Sequence, residues 1–495
     1  MIPQLARRLL ASALVLGVAG NWLLRADTPR AGLVLWVLGI LGVAFAASDA
    51  RAMNPSATDS PTMDPTARRE RAMLFLSAAI LALLLFLRDA EMLFALDLFA
   101  LLVVCALIAW RSSARSLRTL EPRDAIAGGL AAAVAAIAGA PTLALRDAAP
   151  ASIGADQRRS FGSFGLGAVV AAPVLLVVAL LLGTADPLFG GFLENVGTLL
   201  DVSLVGHLIG TAAAAWIAAG AIRGSVAPVS TRFSTMHLQV RLPFPSVAPL
   251  LGGLSLLLSA WIGLQVRTLF GGTSYVAATS GVTVAEYARQ GFFELIVIAG
   301  IVLAALLVAD EVLDRDPGRE RASLRVVGLV LLGLVGAVLT SALLRLGLYL
   351  RYYGLTEDRV LACAVLIWVA LMLSWFGWTV LRGARARFAP GVLVISALWL
   401  GGLNLANPER WIVETNLRRA ERGLDFDTAY HAHLSGDALP ALLHGVDRLG
   451  PERAAIVHAE LEAEWARRAT ERSDWRGWSL PYVLGARELT ATAPR

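Results

Sequence analysis

Residues 325–349 read RVVGLVLLGLVGAVLTSALLRLGLY. No charge separates Arg325 from Arg345. As a helix rising about 1.5 Å per residue, the run between them covers roughly 30 Å, the thickness of a bilayer's hydrocarbon core. Comparable runs lie near 6–24, 31–47, 72–88, 92–110, 125–145, 163–183, 202–222, 247–266, 291–309, 360–381 and 390–405. One soluble core cannot bury so many such helices. The 495 residues are 57% hydrophobic and 16% charged, with a mean hydropathy of +0.66, against about 45–50% and 25% in soluble chains. The expected fold is all-α: a polytopic integral membrane helical bundle of about 12 spans (range 11–13) with a small C-terminal α-helical domain. Disordered, collagen-like and disulfide-stapled classes are excluded.

The first run follows Arg7 and Arg8 and reads as a retained span. The transmembrane bundle is expected over 1–405, interrupted by a polar linker at 48–71 that carries Pro55, Pro61 and Pro65. Segment 125–145, rich in Ala and Gly and carrying Pro141, is the weakest span. Arginines concentrate in alternate loops: Arg51, Arg68, Arg69 and Arg71, then Arg111, Arg115, Arg118 and Arg123, and later Arg315, Arg319, Arg321 and Arg325. By the positive-inside rule the N-terminus is cytoplasmic. The two halves agree only if one segment, 125–145, fails to cross. The tail then lies outside the cytoplasm, at a bacterial inner membrane.

Residues 406–495 are a different material, with 12 arginines, 14 acids and four of the six histidines. Asn407-Pro408 reads as a cap followed by proline at the first helical position, and Gly423 ends that helix. Asp425 or Asp427 caps a short second helix stopping near Gly436; Asp437 is expected to cap 438–449; Pro451 opens a longer helix to about 472, and a last one covers 481–491. These short helices make a soluble or interfacial domain.

All 43 basic residues are arginine, which excludes lysine Schiff-base and P-loop chemistry. The net charge of +5 implies no nucleic-acid partner. Cys105 and Cys363 sit in apolar runs and read as small hydrophobes. No catalytic, cofactor or metal motif is present. His431 and His433 lie two apart on a helix, about 200° around the axis, and cannot share a metal there. They read as surface residues. Asp97 and His207 each stand alone within a span and read as polar packing.

Ionisable residues inside spans default to functional candidates. Glu294, one turn into its span, and Arg345, one turn before the end of the next, share a depth on antiparallel helices. Glu286, Gln290 and Glu294 recur at i, i+4 and i+8, with Tyr287 and Arg289 beside them, and Arg345, Tyr349 and Tyr353 repeat the spacing on the second helix. With Glu357 beyond it, this is the candidate polar site. A plain helix-locking ion pair explains it equally well.

Five motifs carry a resemblance: "RTLFGGTSYVAATSGVTVAEYARQGFFELI" (267–296), "RLGLYLRYYGLTEDR" (345–359), "NPERWIVETNLRR" (407–419), "LDFDTAYHAHLSGDALPAL" (424–442) and "DWRGWSL" (474–480). Together with "TADPLF" at 184–189, they resemble the bacterial membrane family catalogued as domain of unknown function 4173. That resemblance implies no activity; it implies that the Glu294 and Arg345 neighbourhood and the tail belong to one design. With four spans between 291 and 405, loop 267–290, loop 350–359 and the tail face one side. The expected function is a non-enzymatic sensor or scaffold in the lipid bilayer, binding a protein or envelope-ligand partner through 406–495. The alternatives are a transporter or flippase with a polar site near Glu294 and Arg345, and a membrane-embedded transferase on a lipid-linked substrate.

Overall fold

The computed structural model describes residues 3–53, 65–111, 117, 122–148, 202–227, 242–270, 292–313 and 319–492. Every regular element among them is helical; the one β contact is an isolated bridge between Leu242 and Leu313. In chain order the membrane part comprises α1 (Pro3–Leu23), α2 (Arg30–Met53), α3 (Pro65–Leu87), α4 (Glu91–Arg111), α5 (Pro122–Thr142), α6 (Val202–Val226), α7 (Phe244–Phe270), α8 (Phe292–Val312), α9 (Arg319–Tyr353), α10 (Glu357–Thr379) and α11 (Phe388–Ala406). Nine helices among the described residues are long and apolar enough to cross a membrane, which makes this a multi-pass membrane architecture. Runs 6–24 and 125–145 are helical as α1 and α5 but are not among the nine, and run 163–183 lies outside the described residues. The expected figure of about twelve spans is to that extent reduced.

Helices reach further into the 48–71 segment than its polarity suggests. Arg71 turns inward, donating to the Ser48 carbonyl at 2.8 Å and to Asp49 at 2.9 Å. Pro141, which lacks a main-chain donor, precedes a π-helical turn over Leu143–Asp147 that ends α5. Gly128 of α5 lies against Trp110 at the end of α4. Beyond the other end of α5, Asp147 pairs with Arg223 at 2.8 Å and Arg7 donates to the Ala148 carbonyl.

Three cores result. In the first, α1–α4 and α6 meet through small residues such as Ala13, Ala78, Ala82, Ala214 and Ala218. Backbones approach closely there: a Cβ on Gly139 of α5 would stand 2.7 Å from Gly220 Cα of α6. The second core joins α7–α10 around Leu306, Leu331, Leu366 and Phe376, with Phe376 edge-on to Phe388 of α11. Leu256, Leu264, Leu398 and Leu405 point outward and exposed, as a lipid-facing surface requires.

The tail forms the third core. Its helices are α12 (Pro408–Ala420), α13 (Thr428–His433), α14 (Leu439–Gly445), α15 (Pro451–Glu471) and α16 (Leu480–Thr492). The punctuation falls where the residues place it: Asn407 caps α12, Asp427 caps α13, and Gly423 and Gly450 take positive φ at the breaks. Asp437 is the exception. It makes no cap for α14, because its carboxylate is used elsewhere. Leu355, from the turn between α9 and α10, and Val360, in the first turn of α10, complete this core, so the tail is packed onto the bundle.

Candidate functional site at the tail–bundle junction

Among the described residues the candidates fall into separate groups. Glu286, Tyr287, Arg289 and Gln290 lie outside the described residues. Glu294 is exposed, and no ion pair joins it to Arg345 among the described contacts. Arg345 is buried, with its guanidinium 5.8 Å from the Trp261 ring of α7. Tyr349 and Tyr353 do meet, 4.9 Å apart, with Arg359 over the Tyr349 ring at 4.3 Å. Arg359 also donates to the carbonyls of Tyr353 and Gly354, closing the end of α9.

Glu357 belongs to a different assembly, the junction between tail and bundle. There the α3–α4 turn, Arg88-Asp89-Ala90, runs into the tail. The Asp437 carboxylate accepts from Arg88 at 2.9 Å and from the backbone N–H groups of Asp89 at 2.6 Å and Ala90 at 3.0 Å. Asp89 in turn accepts from Arg472 at 2.8 Å, Ser479 at 2.7 Å and the Gly436 N–H at 3.2 Å, with Arg30 at 3.7 Å. Its side chain is 1% exposed. Burial alone would push this carboxyl up, but Arg472, Arg30 and the Ser479 bond outweigh it and hold it below its ordinary value. Arg88 reaches the other way as well, donating to the Asn404 carbonyl at the end of α11. Asn404 donates to Asp97 of α4 at 2.9 Å. Alongside, Arg476 and Trp475 pack on Trp22, so the α1–α2 turn is also covered.

A second buried cluster lies under α12. Glu409 is 2% exposed and accepts from both the N–H and the hydroxyl of Ser435. The Glu357 carboxylate at the start of α10 adds its charge to the same buried cluster, which favours a proton on Glu409. Burial, with the Glu357 and Asp437 charges adding, outweighs the Ser435 bonds and raises Glu409 to about 8. The Glu357 N–H donates to the Tyr430 hydroxyl at 2.9 Å, and burial shifts that phenol upward too.

Asn416 ties the same face together. It accepts from the Leu355 N–H at 2.9 Å and donates to the Leu355 carbonyl at 2.8 Å. It also donates to His431 Nε2 at 3.0 Å, which leaves Nδ1 to donate to the Asp427 carbonyl at 2.6 Å. His431 is therefore a core residue stacked on Phe426, not a surface one; burial depresses its pKa. His433 points elsewhere, toward Glu464. Among the described residues no group of three His, Cys, Asp or Glu side chains is placed to hold a metal. Asn416→Leu is expected to cost about 2 kcal/mol in thermal unfolding, because it leaves Leu355 and His431 polar groups without partners. An unchanged melting temperature would contradict this role.

Sequence reasoning missed Asp89, Asp437, Asn404, Glu409 and Asn416. The one signal available was that Asp97 stood in a span with no visible partner. The partner, Asn404, comes from a helix 307 positions later.

A family model described as domain of unknown function (DUF4153) matches residues 75–445, about three quarters of the chain. This corrects the motif-based resemblance to domain of unknown function 4173: the matched family is a different one, also of unknown function, and the match takes in first-half spans that the motifs did not use. No curated protein and no solved structure matches the chain.

Proposed function

The chain belongs to the DUF4153 family, and on that premise we propose that it is a non-enzymatic membrane sensor whose C-terminal helical domain, on the extracytoplasmic face, couples a protein or envelope ligand to the bundle. One observation carries this. The buried polar chain runs without a break from Arg472 and Ser479 in the tail, through Asp89, Asp437 and Arg88, to Asn404 and Asp97 inside the bundle. A displacement of the tail must break or drag these bonds, so its state biases the helix contacts of α4 and α11. The transporter alternative has less behind it, since Glu294 is exposed.

Two further observations support the orientation. The tail packs on the turns after α1, α3 and α9, whereas Arg7, Arg71, Arg111, Arg223 and Arg385 gather at the opposite helix ends. Both ends of the α5 segment also contact that arginine-rich end, at Trp110 and at Arg223 and Arg7, as expected of a segment that does not traverse. With alternating crossings of the remaining helices, and one more from the apolar sequence of 163–183, the expected place of the tail is opposite the arginines, at a bacterial inner membrane. Alkaline phosphatase fused after Arg495 is expected to be active, and fused after Arg118 inactive. Activity at both or at neither would overturn the orientation. The coupling is tested by cross-linking across α4 and α11 with the tail present and removed; an identical pattern would sink the sensor.

A further inference from the structure

We propose that Asp97 and Asn404 form a proton-binding site within the bundle, a neutral carboxylic acid held against a carboxamide. Both side chains are buried, Asp97 at 0% and Asn404 at 4% exposure. The Asn404 amide donates to Asp97 Oδ1 at 2.9 Å and to the Leu400 carbonyl at 3.1 Å, which fixes which end of the amide is nitrogen. Among the described residues two atoms are then left without a hydrogen-bond partner: Asp97 Oδ2 and Asn404 Oδ1. Both are acceptors, and they belong to the two planar groups already joined by one bond. A single proton on Asp97 Oδ2, donated to Asn404 Oδ1, closes a two-bond ring and satisfies both atoms at once.

A charged Asp97 has no such solution. The nearest cation is Arg88, whose guanidinium is occupied by Asp437 and by the Asn404 carbonyl. Arg30 at the start of α2 lies over the Phe94 ring of α4 at 4.5 Å but stands beside Asp89, and among the described residues the helices packed against α4 supply no other. On α3 the ionisable residues stand in the first two turns, and α11 offers only Asn404. On α6, His207 is bonded to Asn21 and Arg25 and Arg223 to Asp147. On α5, Arg123 and Asp124 stand in the first turn. A buried carboxylate with one hydrogen bond and no free cation is the arrangement that proteins relieve by taking up a proton. The site is independent of the sensor proposal: it needs only the local pair. Where both hold, Arg88 links the proton site to Asp437 in the tail.

Infrared spectroscopy of the full chain in lipid at mildly acidic pH tests this. A carbonyl band of a neutral carboxylic acid is expected to move when aspartate is carbon-13 labelled, and to survive Glu409→Gln. Asp97→Asn is expected to remove that band while the protein stays folded, because an amide can make the same two-bond ring with Asn404. If aspartate labelling moves no neutral-acid band, Asp97 is charged and the proposal fails; that labelling does not depend on any variant folding. A labelled band that persists in Asp97→Asn would assign the proton to another aspartate and equally overturn it.

Discussion

Asp89→Ala is expected to loosen the C-terminal domain from the bundle, at a cost of about 3–5 kcal/mol, the range for breaking a buried ion pair from one side. The reason is the number of groups that depend on this one carboxylate. Arg472 and Ser479 reach it from the tail, the Gly436 N–H reaches it from the turn before α14, and Arg30 stands beside it at the start of α2. Without it, two guanidiniums of 9% and 13% side-chain exposure face each other with no anion between them. Asp89→Asn keeps the shape and some of the hydrogen bonds but not the charge, so it should fall between wild type and alanine. Limited proteolysis reads the outcome directly: chain after Ala406 should be cut faster in Asp89→Ala, with the spans left intact. A double-mutant cycle with Arg472→Leu should show strong coupling. Unchanged cleavage would mean that apolar contacts of Leu355 and Val360 hold the tail by themselves.

This junction also shows where a sequence stops being readable. Span positions follow from apolar runs, because the bilayer sets their length, and eleven of the runs are helices here. Tail boundaries follow from Asn407, Asp427, Gly423 and Gly450, because caps and positive-φ breaks are local. Asp437 marks the limit. Before a helix, an aspartate looks like a cap, yet its carboxylate binds backbone 347 and 348 positions away. No local pattern encodes that pairing. His431 fails for a related reason: its helix is short and polar, but the Asn416 that holds its ring comes from the preceding helix, 15 positions back. Glu357 stands out in the sequence for its place after Tyr353, whereas the acid its charge acts on is Glu409, 52 positions on. The candidate site was legible as a region and not as a set of partners.

Tail docking should weaken as pH rises toward 8, and Glu409→Gln should flatten that dependence. Glu409 is raised from its ordinary 4.5 to about 8 by burial and the neighbouring acids. A carboxyl raised on folding contributes stability that is complete below its ordinary value and is lost as pH climbs through the folded one. The full loss over that window is about 5 kcal/mol, at most about 1.4 kcal/mol per pH unit. Two groups act in the opposite sense. Asp89 is depressed, so its contribution is present above its ordinary 3.8 and falls away in acid. His431 is also depressed, so its contribution is lost as pH drops below 6.5. Both oppose Glu409 only at low pH, and Tyr430 titrates above the window. The interval between about 6.5 and 8 therefore leaves Asp89 and His431 silent, and Glu409→Gln separates Glu409 from the Asp97 site in the bundle. Thermal unfolding or protease protection of the tail across that interval should decline in wild type and stay level in Glu409→Gln, whose amide can still accept from Ser435 and now donate to Glu357. A wild-type curve that stays level would show that Glu409 holds no proton in the docked tail. A decline that persists in Glu409→Gln would place the titrating group elsewhere. If wild type declines and the variant does not, the tail's grip on the bundle is itself sensitive to the proton concentration on the face that carries it.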